Sequence, residues 1–139
     1  MYPLEIVNPC RAELTNNGFK SLESSVDVEQ FFNESGEDVS LMVINSVCGC
    51  AAGSARPGVL KSLSGDKTPA RLATVFAGVD KDAVSKAREY MMPYPPSSPS
   101  IAIFKGNQLI HFIERHHIEG RSADMIAEHL KAAYQQFCS

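Results

Sequence analysis

No apolar run in this sequence approaches the ~20 residues that a helix needs to cross a bilayer. The opening MYPLEIVNPC also lacks a basic segment followed by an apolar stretch, so no secretory leader is read there. These absences make a cytoplasmic protein without a membrane contact the expectation. A basic excess is missing too. Thirteen lysines and arginines against sixteen acidic residues leave a net charge of −3, which offers no broad positive surface and excludes nucleic acid as an expected partner. No internal repeat or low-complexity tract stands out. Cysteine is scarce, at four residues, yet Cys48 and Cys50 stand one residue apart. In a reducing compartment such a pair serves catalysis or metal binding more often than it staples a fold.

What is present is ordinary. The 44% hydrophobic and 21% charged fractions are those of a globular chain, and 139 residues suit one core, so a single domain over 1–139 is expected. Residues Pro9 to Gly18 are helix formers with a glycine stop. Ser24 followed by Asp27 reads as a capping box opening a second helix, Val26 to Ser35. VSLMVIN, Val39 to Asn45, is a short apolar run suited to a strand buried on both faces. From Cys50 to Ser64 a helix is predicted, kinked at Pro57. Leu72 to Gly78 is the next buried strand, and Lys81 to Met91 is helical in its spacing of Ala83, Val84, Ala87 and Tyr90.

The eight residues Pro93 to Ser100 hold four prolines, which only a constrained loop accommodates. A hairpin follows, Ile101 to Lys105 and Gln108 to Arg115, turning at Gly106-Asn107. The last helix, Ser122 to Phe137, aligns Met125, Ile126, Leu130, Ala133, Tyr134 and Phe137 on one face. The order is βαβαββα after a helical N-terminal extension. A strand–helix–strand crossover demands parallel pairing and the hairpin antiparallel pairing, so the expected fold is α/β with a mixed central sheet flanked by helices, the thioredoxin-like order.

Cys48 and Cys50 fall at the junction of the first of these strands and its helix. Three readings compete there: inert small core residues, metal ligands and redox thiols. The unpaired N–H groups of a first helical turn favour a thiolate, which supports the redox reading. Metal is disfavoured because Cys48 and Cys50 lack the C-x₂₋₄-C spacing that zinc sites pair with histidines such as His111, His116, His117 and His129, and an iron–sulfur cluster would want about four thiolates. A hydrolytic cysteine enzyme is weaker still, because no histidine can be placed beside Cys48. With Gly49 alone between them, a Cys48–Cys50 disulfide closes a small ring and should be strained and easily reduced. On a continuing helix the two side chains diverge by about 200°. Mixed disulfides with a small thiol are therefore expected, with Cys48, outermost, as nucleophile and Cys50 as the modulating or resolving thiol.

Ser98-Pro99 stands at a strand entrance, where the plainer reading is a proline-rich connector. Cys10 reads as a half-buried helix residue and Cys138 as a mobile tail thiol.

Four blocks together carry a resemblance: NSVCGCAAGSARP (Asn45 to Pro57), TVFAGVDK (Thr74 to Lys81), PPSSPS (Pro95 to Ser100) and ERHHIEG (Glu114 to Gly120), preceded by ELTNNGF (Glu13 to Phe19). In their order and across nearly the whole chain they resemble the bacilliredoxins. The resemblance implies removal of bacillithiol from S-bacillithiolated proteins, with Cys48 attacking the mixed disulfide and Pro99 as a cis-proline facing it. It implies no bound cofactor, bacillithiol as co-substrate, and a pyridine-nucleotide-dependent flavoprotein reductase as recycling partner. Weak disulfide isomerase or general thiol–disulfide exchange is the alternative activity, and a non-enzymatic redox-sensing or metal-binding module the alternative of another class. Bacillithiol is an anionic sugar thiol, so cationic donors are expected near the cysteines. Arg56 ranks first by nearness in sequence, with Arg115 or His116 next.

Overall fold

The computed structural model describes residues 2–138. Five strands make one mixed sheet in the order β1-β3-β2-β4-β5. They are β1 (Lys20–Ser21), β2 (Val39–Asn45), β3 (Arg71–Phe76), β4 (Ser100–Lys105) and β5 (Gln108–Ile113). β2 runs parallel to β3 and antiparallel to β4, which in turn pairs antiparallel with β5. The helices are α1 (Leu4–Thr15), α2 (Ser25–Asn33), α3 (Arg56–Ser62), α4 (Lys81–Glu89), α5 (Arg115–Ile118) and α6 (Ala123–Phe137), with a π-helical turn, Ala51–Ala55, leading into α3.

Strand alternation divides the core in two. Leu41, Val43, Ile101 and Ile103 face α1, α3 and α6, meeting Leu14, Val59, Ile126 and Leu130. Met42, Ile44, Ala102 and Phe104 face α2 and α4, meeting Phe31, Phe32, Val84 and Ala87. β2 is therefore covered on both sides, as its unbroken apolar run requires. Ser24 accepts the Asp27 N–H at 3.1 Å and the Asp27 carboxylate accepts the Glu23 N–H at 3.0 Å, so the predicted capping box forms, with its return bond one residue upstream.

Five local expectations are corrected. α1 begins at Leu4 and carries Pro9 inside it, because Val7 and Leu14, both fully buried, hold one helical face across the proline. The lead-in contains β1 as well as two helices. A two-residue edge strand paired with Ala73 and Thr74 has no periodicity to betray it. The helix after the cysteines widens into a π turn where a proline kink was expected, since Pro57 offers no N–H to the Gly53 carbonyl. Finally, β5 ends at Ile113 and residues Arg115–Ile118 form α5, while Met125 lies exposed at the first turn of α6 and the buried stripe starts at Ile126.

Candidate active site

The central strand β2 ends at Asn45, and three residues later Cys48 enters the helical turn that begins at Gly49. The Cys48 carbonyl accepts the N–H groups of Ala51 and Ala52, both at 3.1 Å, so Cys48 stands where the helix opens. Its own N–H donates to Ser46 Oγ at 3.1 Å. Burial pushes the Cys48 thiol up, but the Ser46 hydroxyl, the N–H groups of Ala51 and Cys50 and the Arg115 cation together outweigh it and leave the thiol below its ordinary value. Both Cys48 and Cys50 are free thiols and partly exposed. An added Cβ at Gly49 would meet nothing within 4 Å, so this residue leaves the approach to the thiols open.

Beneath the cysteines lies a polar brace. Arg56 is 2% exposed and donates through Nη1 to Asn45 Oδ1 at 3.0 Å and to the Ser46 carbonyl at 2.6 Å. Asn45 Oδ1 also accepts the Ser46 N–H at 2.8 Å, and Asn45 Nδ2 donates to the Cys10 carbonyl at 3.1 Å. The Glu13 carboxylate stands 3.1 Å from Arg56 Nε without the alignment of a hydrogen bond, and so contributes charge more than direction. The chain from α1 through Asn45 and Arg56 to Ser46 holds the turn that carries Cys48.

That geometry corrects the expected role of Arg56. It follows Cys48 by two helical turns and points into the protein, so none of its face is free for a ligand. The cation at the thiols is Arg115, more than sixty residues away in sequence. Its Nη1 donates to the Ser98 carbonyl at 3.1 Å, its Nε to Glu119 at 2.7 Å, and its charge acts on both Cys48 and Cys50. With a side chain 43% exposed, it remains accessible to an anion. His116 points outward beside Glu114, 67% exposed.

The Ser98–Pro99 peptide is cis, as is Met92–Pro93, for which the sequence offered no signal. β4 pairs Ser100 with Ile44, so the antiparallel register sets Pro99 beside Asn45, at the end of the strand that delivers Cys48. Cys10 sits partly buried in α1, where its carbonyl serves the brace. Cys138 is 7% exposed and packed in the core beneath α6, which corrects the expectation of a mobile tail thiol. Burial pushes its thiol up. Among the described residues, no helix is long and apolar enough to cross a membrane.

Comparisons with known proteins bear on the lineage and the fold. A family model described as disulphide isomerase matches residues 2–138. A bacilliredoxin of Cytophaga hutchinsonii is 64% identical over 136 residues, covering 98% of this chain and 99% of the relative. A bacilliredoxin of Halalkalibacterium halodurans is 53% identical over 137 residues, covering 99% and 94%. Among solved structures, Schistosoma mansoni thioredoxin pre-protein aligns with a TM-score of 0.58 at 12% identity, covering 86% of this chain and 98% of that one. Fasciola hepatica thioredoxin aligns at 0.54 and 13% identity, covering 84% and 99%. At such identities the structures speak for the fold alone, and the near full-length relatives speak for the lineage. The chain belongs to the bacilliredoxin family and is a thiol–disulfide oxidoreductase of thioredoxin-like fold.

Proposed function

We propose that the protein removes bacillithiol from S-bacillithiolated proteins, with Cys48 as the attacking thiolate. The observation that carries this reading is the setting of Cys48: a partly exposed thiol held toward its thiolate by Ser46 and the opening helical turn, with the accessible Arg115 cation beside it. An anionic sugar thiol delivered as a mixed disulfide presents charge that Arg115 can meet. The Cys48 thiolate attacks the bacillithiol sulfur, a Cys48–bacillithiol disulfide forms, the protein–bacillithiol bond breaks, and the substrate protein leaves as a thiolate that takes a proton from water. A second bacillithiol thiolate then attacks the adduct, releasing bacillithiol disulfide and restoring Cys48. A flavoprotein reductase using a pyridine nucleotide would return that disulfide to the thiol. Gly49 contributes by leaving the approach open, Ser98 by fixing Arg115 through its carbonyl, and Pro99 by its place beside Asn45. Cys50 is the second thiol: its thiolate can attack Cys48 Sγ, forming a Cys48–Cys50 disulfide as bacillithiol leaves, and two bacillithiols then return both cysteines to thiols with release of bacillithiol disulfide.

The test is intact-mass spectrometry with peptide mapping on reduced protein after brief exposure to bacillithiol disulfide or, separately, glutathione disulfide. A single bacillithiol adduct at Cys48 that accumulates in Cys50→Ala and is released by bacillithiol supports the proposal. Equal reaction with both disulfides points to a general oxidoreductase, and an adduct that does not turn over points to a sensor. Weak disulfide isomerase activity is the second reading, in keeping with the description of the matching family model. It requires recovery of a scrambled disulfide protein at a rate that Cys48→Ala abolishes.

A further inference from the structure

Arg115 opens α5, a single helical turn anchored by Ile118, which is fully buried. An arginine as exposed as this one spreads its charge over many rotamers unless something holds it. Here three bonds do so. The Arg115 N–H donates to Ser97 Oγ at 3.4 Å and Nη1 to the Ser98 carbonyl at 3.1 Å, which tie the residue to the loop before the cis Pro99. From the other side Nε donates to Glu119 Oε1 at 2.7 Å, the shortest of the three. Glu119 stands one turn on, and its own N–H donates to the Arg115 carbonyl at 3.0 Å, so its backbone and side chain close on the same residue. Among the described residues, Arg115 Nη2 has no hydrogen-bond partner.

We propose that Glu119 is a positioning residue: its carboxylate fixes the Arg115 guanidinium at the thiols and leaves Nη2 free for the anionic half of a small-thiol disulfide. The proposal rests on the reading of Arg115 as the cation that meets the substrate. A guanidinium is a planar fork, and a single bond at Nη1 lets its plane swing about that contact. A second bond at Nε, from a different segment, removes the swing and sets the direction in which Nη2 points.

Two other roles for the carboxylate fit less well. As a stability element it contributes little, because both side chains of the pair are about half exposed and water screens them. As a source of field it works against the site, since a carboxylate beside a cation weakens the pull on any further anion. What Glu119 supplies is therefore direction. The charge it directs acts on both Cys48 and Cys50, residues that the chain sequence places far from α5.

The test compares Glu119→Ala, which removes charge and acceptor, with Glu119→Gln, which removes the charge and keeps an acceptor oxygen, both in a Cys50→Ser background so that one thiol of the turn reports. The readout is the ratio of the pH-independent rate constants for alkylation of Cys48 by iodoacetate and by iodoacetamide, assigned by peptide mapping. One probe is an anion and the other neutral, so the ratio reads the cation at the thiolate and is blind to the fraction of thiolate. Removing a carboxylate strengthens the pull on an anion unless the cation itself moves. Positioning therefore predicts that the ratio falls in Glu119→Ala, by about threefold for one charge several ångströms away in water, toward the value of Arg115→Ala. Glu119→Gln should hold the parental ratio or exceed it, and high salt should erase the differences. Thermal midpoints of both Glu119 variants should stay close to the parent's. A ratio that rises in both variants makes Glu119 a plain countercharge, and a ratio unchanged in both makes it a surface ion pair; either overturns the proposal. A parental ratio in Arg115→Ala would overturn the reading of Arg115 as well. Neither probe contains bacillithiol, so the identity of the substrate is decided separately, by the adduct experiment above.

Discussion

Replacing Arg56 by methionine keeps the apolar stem and removes the buried guanidinium, and so separates a structural brace from a ligand donor. Two charged hydrogen bonds disappear, to Asn45 Oδ1 and to the Ser46 carbonyl. At ~1.5–3 kcal/mol each, and with relief of the guanidinium's own burial partly offsetting them, the net cost should be about 3 kcal/mol. The ion pair with Glu13 adds little, because that carboxylate is 44% exposed and screened by water. Unfolding entropy of ~2.1 cal/mol/K per residue gives roughly 0.3 kcal/mol/K for 139 residues, so the midpoint should fall by about 10 °C. The assay is thermal unfolding of the reduced protein, paired with thiol exchange at a temperature where the variant remains folded. Because the Ser46 carbonyl loses its anchor, the rate of Cys48 alkylation should fall as well. A midpoint lowered by less than 3 °C together with a raised KM for the small disulfide would refute this reasoning and return Arg56 to the binding surface.

Ser46→Ala removes the hydroxyl that stabilises the Cys48 thiolate, and should raise the midpoint of the pH profile for iodoacetamide reaction. The lowered folded value of Cys48 also sets the sign of linkage in the reduced parent. Its stabilising contribution is complete above the unfolded thiol value of ~8.5 and fades as pH falls through the folded value, which denaturant titrations across that window will read and Cys48→Ser should erase. Gly58→Ala should destabilise by about 1–2 kcal/mol, because the new Cβ would stand 2.6 Å from Ile126 Cβ and 3.0 Å from the Ala123 carbonyl, and a gain of ~1 kcal/mol in helix propensity does not offset that overlap. Cys138, buried and pushed up, should resist alkylation in the native protein and react only when urea unfolds it. Peptide mapping that finds it modified as fast as Cys48 would contradict its place in the core.

The sequence carried the sheet where burial is written locally. Val39–Asn45 reads as a doubly covered strand because its apolar run is nearly unbroken, and the structure ends the strand at the same residues. β1 left no such trace, since two residues cannot show a period, and its place is decided by β3 rather than by its own side chains. The π turn was equally silent, because widening one helical turn changes hydrogen-bond partners without changing composition.

Arg56 and Arg115 show why proximity along the chain misassigns a site. A helix that opens at a nucleophile carries its later residues back over the sheet, so a side chain two turns on faces the core unless its face is polar throughout. Arg56 does so, and its neighbours Asn45, Ser46 and Glu13, drawn from β2, the loop and α1, are the means by which a charge is tolerated there. Arg115 arrives instead through the β4–β5 hairpin, whose register sets its approach to the Ser98 carbonyl. The same crossing explains His111 and His129. These two come from a strand and a helix that meet only after the hairpin has turned the chain back, so no local spacing announces their hydrogen bond. In this fold the long-range partners of the thiols and of the histidines depend on the same hairpin. A shift of the β4–β5 register should therefore disturb both the reactivity of Cys48 and the meeting of the imidazoles, while leaving the Arg56 brace in place.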